Sequence, residues 1–416
     1  MNNAANLRLL LLANAVSQFA QGISMIAIPW YFINQLNEGS FFNALFFGVT
    51  ALTLFWSPYA GALIDRFHRK NLFLGLCGAG AIVLLSIAFL GFKEGATPLL
   101  GICIIFGFTV LNYNLHYPAL YALAQEMTTH DGSTKTNALL EIQGQATNMI
   151  SGSVAAILIT GTTGGLAWLA PYFDFEPWPL HYIFLMDGIT YIIAIGLLVF
   201  IRHTALHESK QDEVDKGSVW KRIKIGVKFL KDHPRLFRYG MFSYFVFVTV
   251  MIHVFYLIHL YVSDVLLASA LVLAIAQVCH TAGALSAGIF TRKWLSKKRI
   301  INTKKLMITV ACIYLVFFIA PSPIALAIGC LLIGFSNSAI RILRVSYLFD
   351  HVPHLKMGRV ASVFQSGNIL LRLVLIGCFY LEFFQENPGY TYLTNCAFIL
   401  IALIPIWKMR EKRNGT

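Results

Sequence analysis

Runs of about 20 apolar residues, separated by short polar connections, fill this chain almost from end to end. Lipid offers backbone N–H and C=O groups no partner, so each run that crosses a bilayer has to close its hydrogen bonds internally, as a helix. The pattern predicts twelve spans, at 9–33, 41–64, 72–92, 98–122, 138–160, 180–201, 239–262, 265–290, 305–320, 324–348, 360–384 and 391–408. Pro321-Ser322-Pro323 turns the chain between the ninth and tenth. Only 12% of residues are charged, against about 25% in a soluble domain, which excludes a soluble fold. The first apolar segment continues past Trp30 without a small-residue cleavage site and reads as a retained helix, not a signal peptide.

The basic residues orient these spans. Of 32 Lys and Arg, Arg341, Arg344 and Arg372 lie inside spans, and Lys93 alone falls on the side opposite to the rest. Glu38, Glu94, Asp174, Glu176, Asp264 and Glu386 share that side with Lys93. The asymmetry predicts both termini in the cytoplasm of a bacterial-type inner (plasma) membrane. It also accounts for the net charge of +13 through anionic lipid headgroups, with no nucleic-acid partner. The long polar stretch 202–238 splits the spans six and six. Its part from Val219 to Phe237 has apolar residues at helical spacing with bases between, as expected of an amphipathic helix on the membrane surface. The expected organisation is a first bundle at 1–201, a linker at 202–238 and a second bundle at 239–416.

The halves carry faint copies of each other. Gly61-x-x-x-Asp65-Arg66 after the second span has a degraded echo in Gly288-x-x-x-Arg292-Lys293 after the eighth. Gln145 and Asn148 in the fifth span correspond to Gln365 and Asn368 in the eleventh, 220 positions on. The expected fold is therefore an all-α polytopic membrane protein, with twelve transmembrane helices in two pseudo-symmetric six-helix bundles.

On these residues the chain resembles the major facilitator superfamily. That family's loop between spans 2 and 3 reads G-x-x-x-D-[RK]-x-G-[RK]-[RK], matched here by Gly61, Asp65, Arg66, Arg69 and Lys70, with His68 in place of the second glycine. The stretches 184–191, 229–236 and 357–360 are similar to the efflux branch that includes macrolide and enterobactin exporters. The resemblance implies that the loop residues form a conformational latch; the plainer alternative is that their charges only orient the hairpin. It also implies that spans 1, 4, 7 and 10 line a central cavity, with spans 2, 5, 8 and 11 between the halves. The proline-bearing span 5 motif usual in the family's antiporters is absent. Ser151-Gly152-Ser153 stands there instead, which leaves the direction of transport open.

Polar side chains inside spans are candidate sites, because burying them in lipid is costly. For substrate binding these are Asn14, Gln18, Asn114, His116, Gln145, Asn148, His253, Tyr256, Arg341, Arg344, Gln365, Asn368 and Arg372. Guanidinium groups suit carboxylates or phosphates, so the arginines suggest an anionic substrate. Alternatively, Arg344 reaches for the membrane surface while Arg341 and Arg372 pair with Asp187, Glu141 or Glu382. Glu141, Asp187, His116 and His253 are the candidates for carrying a proton. The seven cysteines lie in apolar stretches without a CxxC pair, and His253 and His259 are on different helix faces, so no metal site and no cofactor are expected. HExxH, GxSxG and P-loop motifs are absent, which disfavours an enzyme or ATP-driven pump.

The expected function is secondary active transport by alternating access, as a monomer. The proton gradient would drive export of a small amphipathic compound, drug-like or siderophore-like. Uptake of an anionic compound such as a ferric siderophore is the alternative. A lipid flippase or a non-transporting sensor is the alternative of another class.

Overall fold

The computed structural model describes residues 3–127, 133–161, 176–201, 219–291, 295 and 298–409. Within helices, the side chains of 57–66 and of Glu141 lie outside the described ones, so Gly61, Asp65, Arg66 and Glu141 are placed only by their backbone. Among the described residues every regular element is helical. The α-helices are α1 Asn3–Trp30, α2 Gly39–Arg66, α3 Arg69–Glu94, α4 Leu99–Glu126, α5 Ser133–Thr160, α6 Leu180–Val199, α7 Val219–Asp232, α8 Pro234–Ile252, α9 Ile258–Leu260, α10 Ala270–Phe290, α11 Arg299–Ile319, α12 Pro323–His351, α13 His354–Phe379, α14 Glu382–Glu386 and α15 Tyr390–Trp407. Eleven described segments are long and apolar enough to cross a membrane. With α5, whose Asn, Gln and Thr content lowers its hydropathy, the twelve expected spans each have a helix.

Two differences from the sequence expectation have local causes. The amphipathic helix stops at Asp232, not Phe237, because Pro234 has no N–H and opens α8 as its first residue. In α7, Phe229 and Leu230 are buried while Lys224, Lys228 and Lys231 are exposed, so its two faces differ as expected. The five-residue helix α14 was not anticipated, since one turn of Phe and Glu has no periodicity to read.

The chain forms two compact units. The first comprises 1–35 and 51–216, the second 36–50 and 217–416. In the first, α1 packs on α5 and α6, and α3 on α6 and α4; in the second, α10 packs on α12, and α11 on α12 and α15. The α10–α12 contact is backbone to backbone. A Cβ at Gly283 would collide with the Leu331 carbonyl, and one at Gly334 with the His280 carbonyl. Small residues let membrane helices approach this closely, since packing rather than the hydrophobic effect holds them together in lipid.

The first membrane helix of each unit ends in the same way. A π-helical turn at Tyr31–Gln35 closes α1, and one at Tyr261–Val265 closes the α8–α9 segment. Two residues later, Asn37 at φ 53° and Leu267 at φ 48° are left-handed, and they stand 230 positions apart. At that spacing Pro29 is matched by His259, so the π-turn does not depend on a proline. The first membrane helix of the second unit also contains a π-turn at His253–Leu257.

Candidate functional site

In the first unit α1, α4 and α5 are joined by a buried set of amides. Asn14 Nδ2 donates to Gln18 Oε1 at 3.1 Å and to Gln143 Oε1 at 2.6 Å. Gln143 Nε2 donates to Gln18 Oε1 at 3.2 Å and to Thr147 Oγ1 at 3.0 Å. Gln18 Nε2 donates to the Tyr117 hydroxyl. His116 Nε2 lies 2.9 Å from Asn14 Oδ1. An amide oxygen only accepts, so that imidazole nitrogen carries the hydrogen. Within this set each amide both donates and accepts, and the three helices are tied without a charge among these side chains.

A separate polar pair sits further along α1. Asp187 of α6 is fully buried, and its Oδ2 accepts from Ser24 Oγ at 2.6 Å. Its Oδ1 has no donor among the described residues.

The second unit places aromatic and cationic groups where the first has amides. His253 Nδ1 lies 2.9 Å from the Tyr392 hydroxyl, and its Nε2 lies 3.6 Å from Cys330 Sγ. The rings of Tyr314 and Phe317 surround the same imidazole. Tyr256 accepts from Gln385 Nε2 at 3.2 Å, and Ser40 Oγ donates to Gln385 Oε1 at 2.8 Å. Arg344 is buried rather than reaching for the surface. Its guanidinium stacks 3.5 Å from the Tyr244 ring centre, and its Nη1 donates to the Ser243 carbonyl at 3.2 Å. On α13, Asn368 is fully buried with neither amide atom bonded, and Arg372 follows one turn later with its Nε buried and unbonded. Among the described residues the ion pair present is Arg299–Asp350, and Arg372 has no hydrogen-bond or ion-pair partner.

The sequence candidates therefore separate. Asn14, Gln18 and His116 meet; Asn114 turns back to its own helix, donating to the Val110 carbonyl at 2.8 Å. Gln145 is partly exposed and Asn148 exposed, outside the amide set. Gln365 and Arg341 are partly exposed. Lys70 caps the end of α6, donating to the carbonyls of Val199 at 3.2 Å and Ile201 at 2.7 Å, which satisfies a helix C-terminus. Gln143 was missed, although Gln143, Thr147 and Ser151 form a polar stripe every four residues, two positions out of step with the candidates Glu141 and Gln145, which are also four apart. Tyr392 and Gln385 carried no signal, being an aromatic in an apolar run and a residue of an unread helix. No three His, Cys, Asp or Glu side chains among the described residues group to hold a metal ion.

A sequence profile of the Major Facilitator Superfamily matches residues 10–374. Among solved structures, a D-xylose-proton symporter is 15% identical, with TM-score 0.68 over 98% of this chain and 99% of that one. A mutant of the nucleoside transporter NupG is 14% identical, with TM-score 0.68 over 96% and 99%. The human organic anion transporter MFSD10 is 11% identical, with TM-score 0.66 over 98% and 100%. At such identities the likeness shows the fold. No curated protein sequence matches the chain.

Proposed function

Since this chain belongs to the Major Facilitator Superfamily, and is thus an integral membrane transporter rather than an enzyme, we propose that it exports a small amphipathic organic acid, driven by the proton gradient. The observation that carries the acidic substrate is the pair on α13. A guanidinium without a carboxylate partner is costly to keep half-buried, and Arg372 stands one turn from the unbonded amide of Asn368. A substrate carboxylate would accept from both and relieve both. The aromatic rings of the second unit suit the apolar part of such a molecule.

We assign the coupling proton to Asp187, a fully buried carboxyl whose donor among the described residues is the hydroxyl of Ser24. His116 and His253 are both engaged by neighbours. The export direction rests on the efflux-like stretches at 184–191, 229–236 and 357–360. Uptake stays the second reading, because α5 runs through Ser151–Ala156 as unbroken helix without the antiporter proline. The termini are assigned to the cytoplasmic side by the basic residues, and the loop from Gly61 to Lys70 to the latch.

The test compares medium and washed cells from a deletion strain and its complemented partner by mass spectrometry, with and without iron. An organic acid that leaves the medium and accumulates inside the deletion strain supports export. One that stays in the medium and fails to enter reverses the direction. In vesicles, Asp187→Asn should abolish accumulation driven by a pH gradient while exchange persists; undiminished accumulation removes Asp187 from the proton path.

A further inference from the structure

A cavity of about 500 Å³ lies between α2, α3 and α4 of the first unit, within the range of small-molecule sites. It is separate from the amide set, none of whose residues lines it. Its walls include the rings of Trp56, Phe67 and Phe108, with Leu115 and Asn112 on α4 and Gly75 on α3. Trp56 is fixed, because its indole N–H donates to the Leu111 carbonyl at 3.0 Å. Gly75 is exposed, and a Cβ built on it would meet nothing within 4 Å, so the space beside it is open.

Two polar residues break this apolar lining, the exposed Asn71 and the buried Asn112. Asn112 is 4% exposed, and its Nδ2 donates to the Tyr191 hydroxyl at 3.4 Å, which holds the amide in place. Its Oδ1 has no donor among the described residues. A buried acceptor left bare is unfavourable, and an incoming hydroxyl would satisfy it.

We propose that this cavity is a second binding site, for an apolar aromatic molecule carrying one hydroxyl, such as a phenol. Its ring would lie among Trp56, Phe67 and Phe108, which favour offset or edge-on aromatic contacts. Its hydroxyl would donate to Asn112 Oδ1. Entry is beside Gly75, where α3 presents no side chain. An acyl chain would fill the same walls but would leave the amide oxygen bare, so the phenol is the better occupant.

The test uses the purified full-length protein in lipid nanodiscs and a phenol bearing a photoreactive diazirine, with labelled peptides identified by mass spectrometry. Saturable labelling is expected in peptides containing 67–76 and 108–115. An unlabelled alkylphenol should compete about tenfold better than its methyl ether, which has lost the donor. Gly75→Leu should abolish the labelling by filling the cavity. Asn112→Leu should bring the phenol down to the level of the ether, so the inference stays testable if the first variant folds poorly. Labelling that is unsaturable or lies elsewhere would overturn the proposal. So would a methyl ether that competes equally with the phenol, and a fatty-acid methyl ester that competes as well would make the cavity an acyl-chain site.

Discussion

The first helix of each unit ends alike and is lined unlike. Both close with a π-turn and a left-handed residue, 230 positions apart. Yet the link between first and fourth membrane helices is an amide to an imidazole in one unit, Asn14 to His116, and an aromatic ring under a guanidinium in the other, Tyr244 to Arg344. The amides shared by α1 and α5 satisfy one another, although Asn112 Oδ1 in the same unit has no donor among the described residues. In the second unit both nitrogens of His259 and both amide atoms of Asn368 have no hydrogen-bond partner among the described residues. Backbone landmarks of the repeat thus persist where side-chain chemistry has diverged, and in the second unit Arg372 has no ion-pair partner among the described residues.

That contrast can be broken most severely at the helix contacts. Gly334→Leu should drive α10 from α12, costing about 3 kcal/mol or more and most of the folded protein in size-exclusion chromatography. Gly78→Leu, which meets open space in α3, should leave the elution profile unchanged. Next come the paired groups. Asn14→Leu strips partners from His116, Gln18 and Gln143 together, and should lower thermal stability in detergent by about 1–3 kcal/mol. His253→Leu orphans the Tyr392 hydroxyl and should cost a similar amount. His259→Leu removes a buried imidazole that has no hydrogen-bond partner among the described residues and should be neutral or stabilising by about 1 kcal/mol; a large loss there would mean that the imidazole has a role that the bare nitrogens do not show. The smallest effect belongs to the left-handed residues. Leucine is strained there and asparagine tolerates it, so Leu267→Gly should stabilise by about 1 kcal/mol and Asn37→Gly by less, read as shifts in melting temperature.

Much of this fold was legible because lipid permits so little else. Span after span could be placed from apolar length, and Pro321-Ser322-Pro323 marked a helix start, whereas the break at Pro234 was read through to Phe237. The α14 turn and the π-turns were invisible, since neither leaves a periodicity. The site was legible in part. Asn14 and Gln18 were found because they are polar in an apolar run, whereas Gln143 competed with an equally regular stripe two residues away. The repeated pair misled in another way: Asn148 is exposed and Asn368 fully buried, so a shared motif did not mean a shared environment. Whether a polar side chain faces a partner, a pathway or nothing depends on packing that one sequence does not record.

The most direct measurement concerns Arg372. Purified protein is melted with the transported acid, as identified from the deletion strain, and with its methyl ester, for the native chain and for Arg372→Ala. A guanidinium that receives the carboxylate predicts that the variant loses roughly 10–100-fold in apparent affinity for the acid and little for the ester. Equal losses for both compounds, or none for either, would contradict the assignment of substrate charge to the second unit.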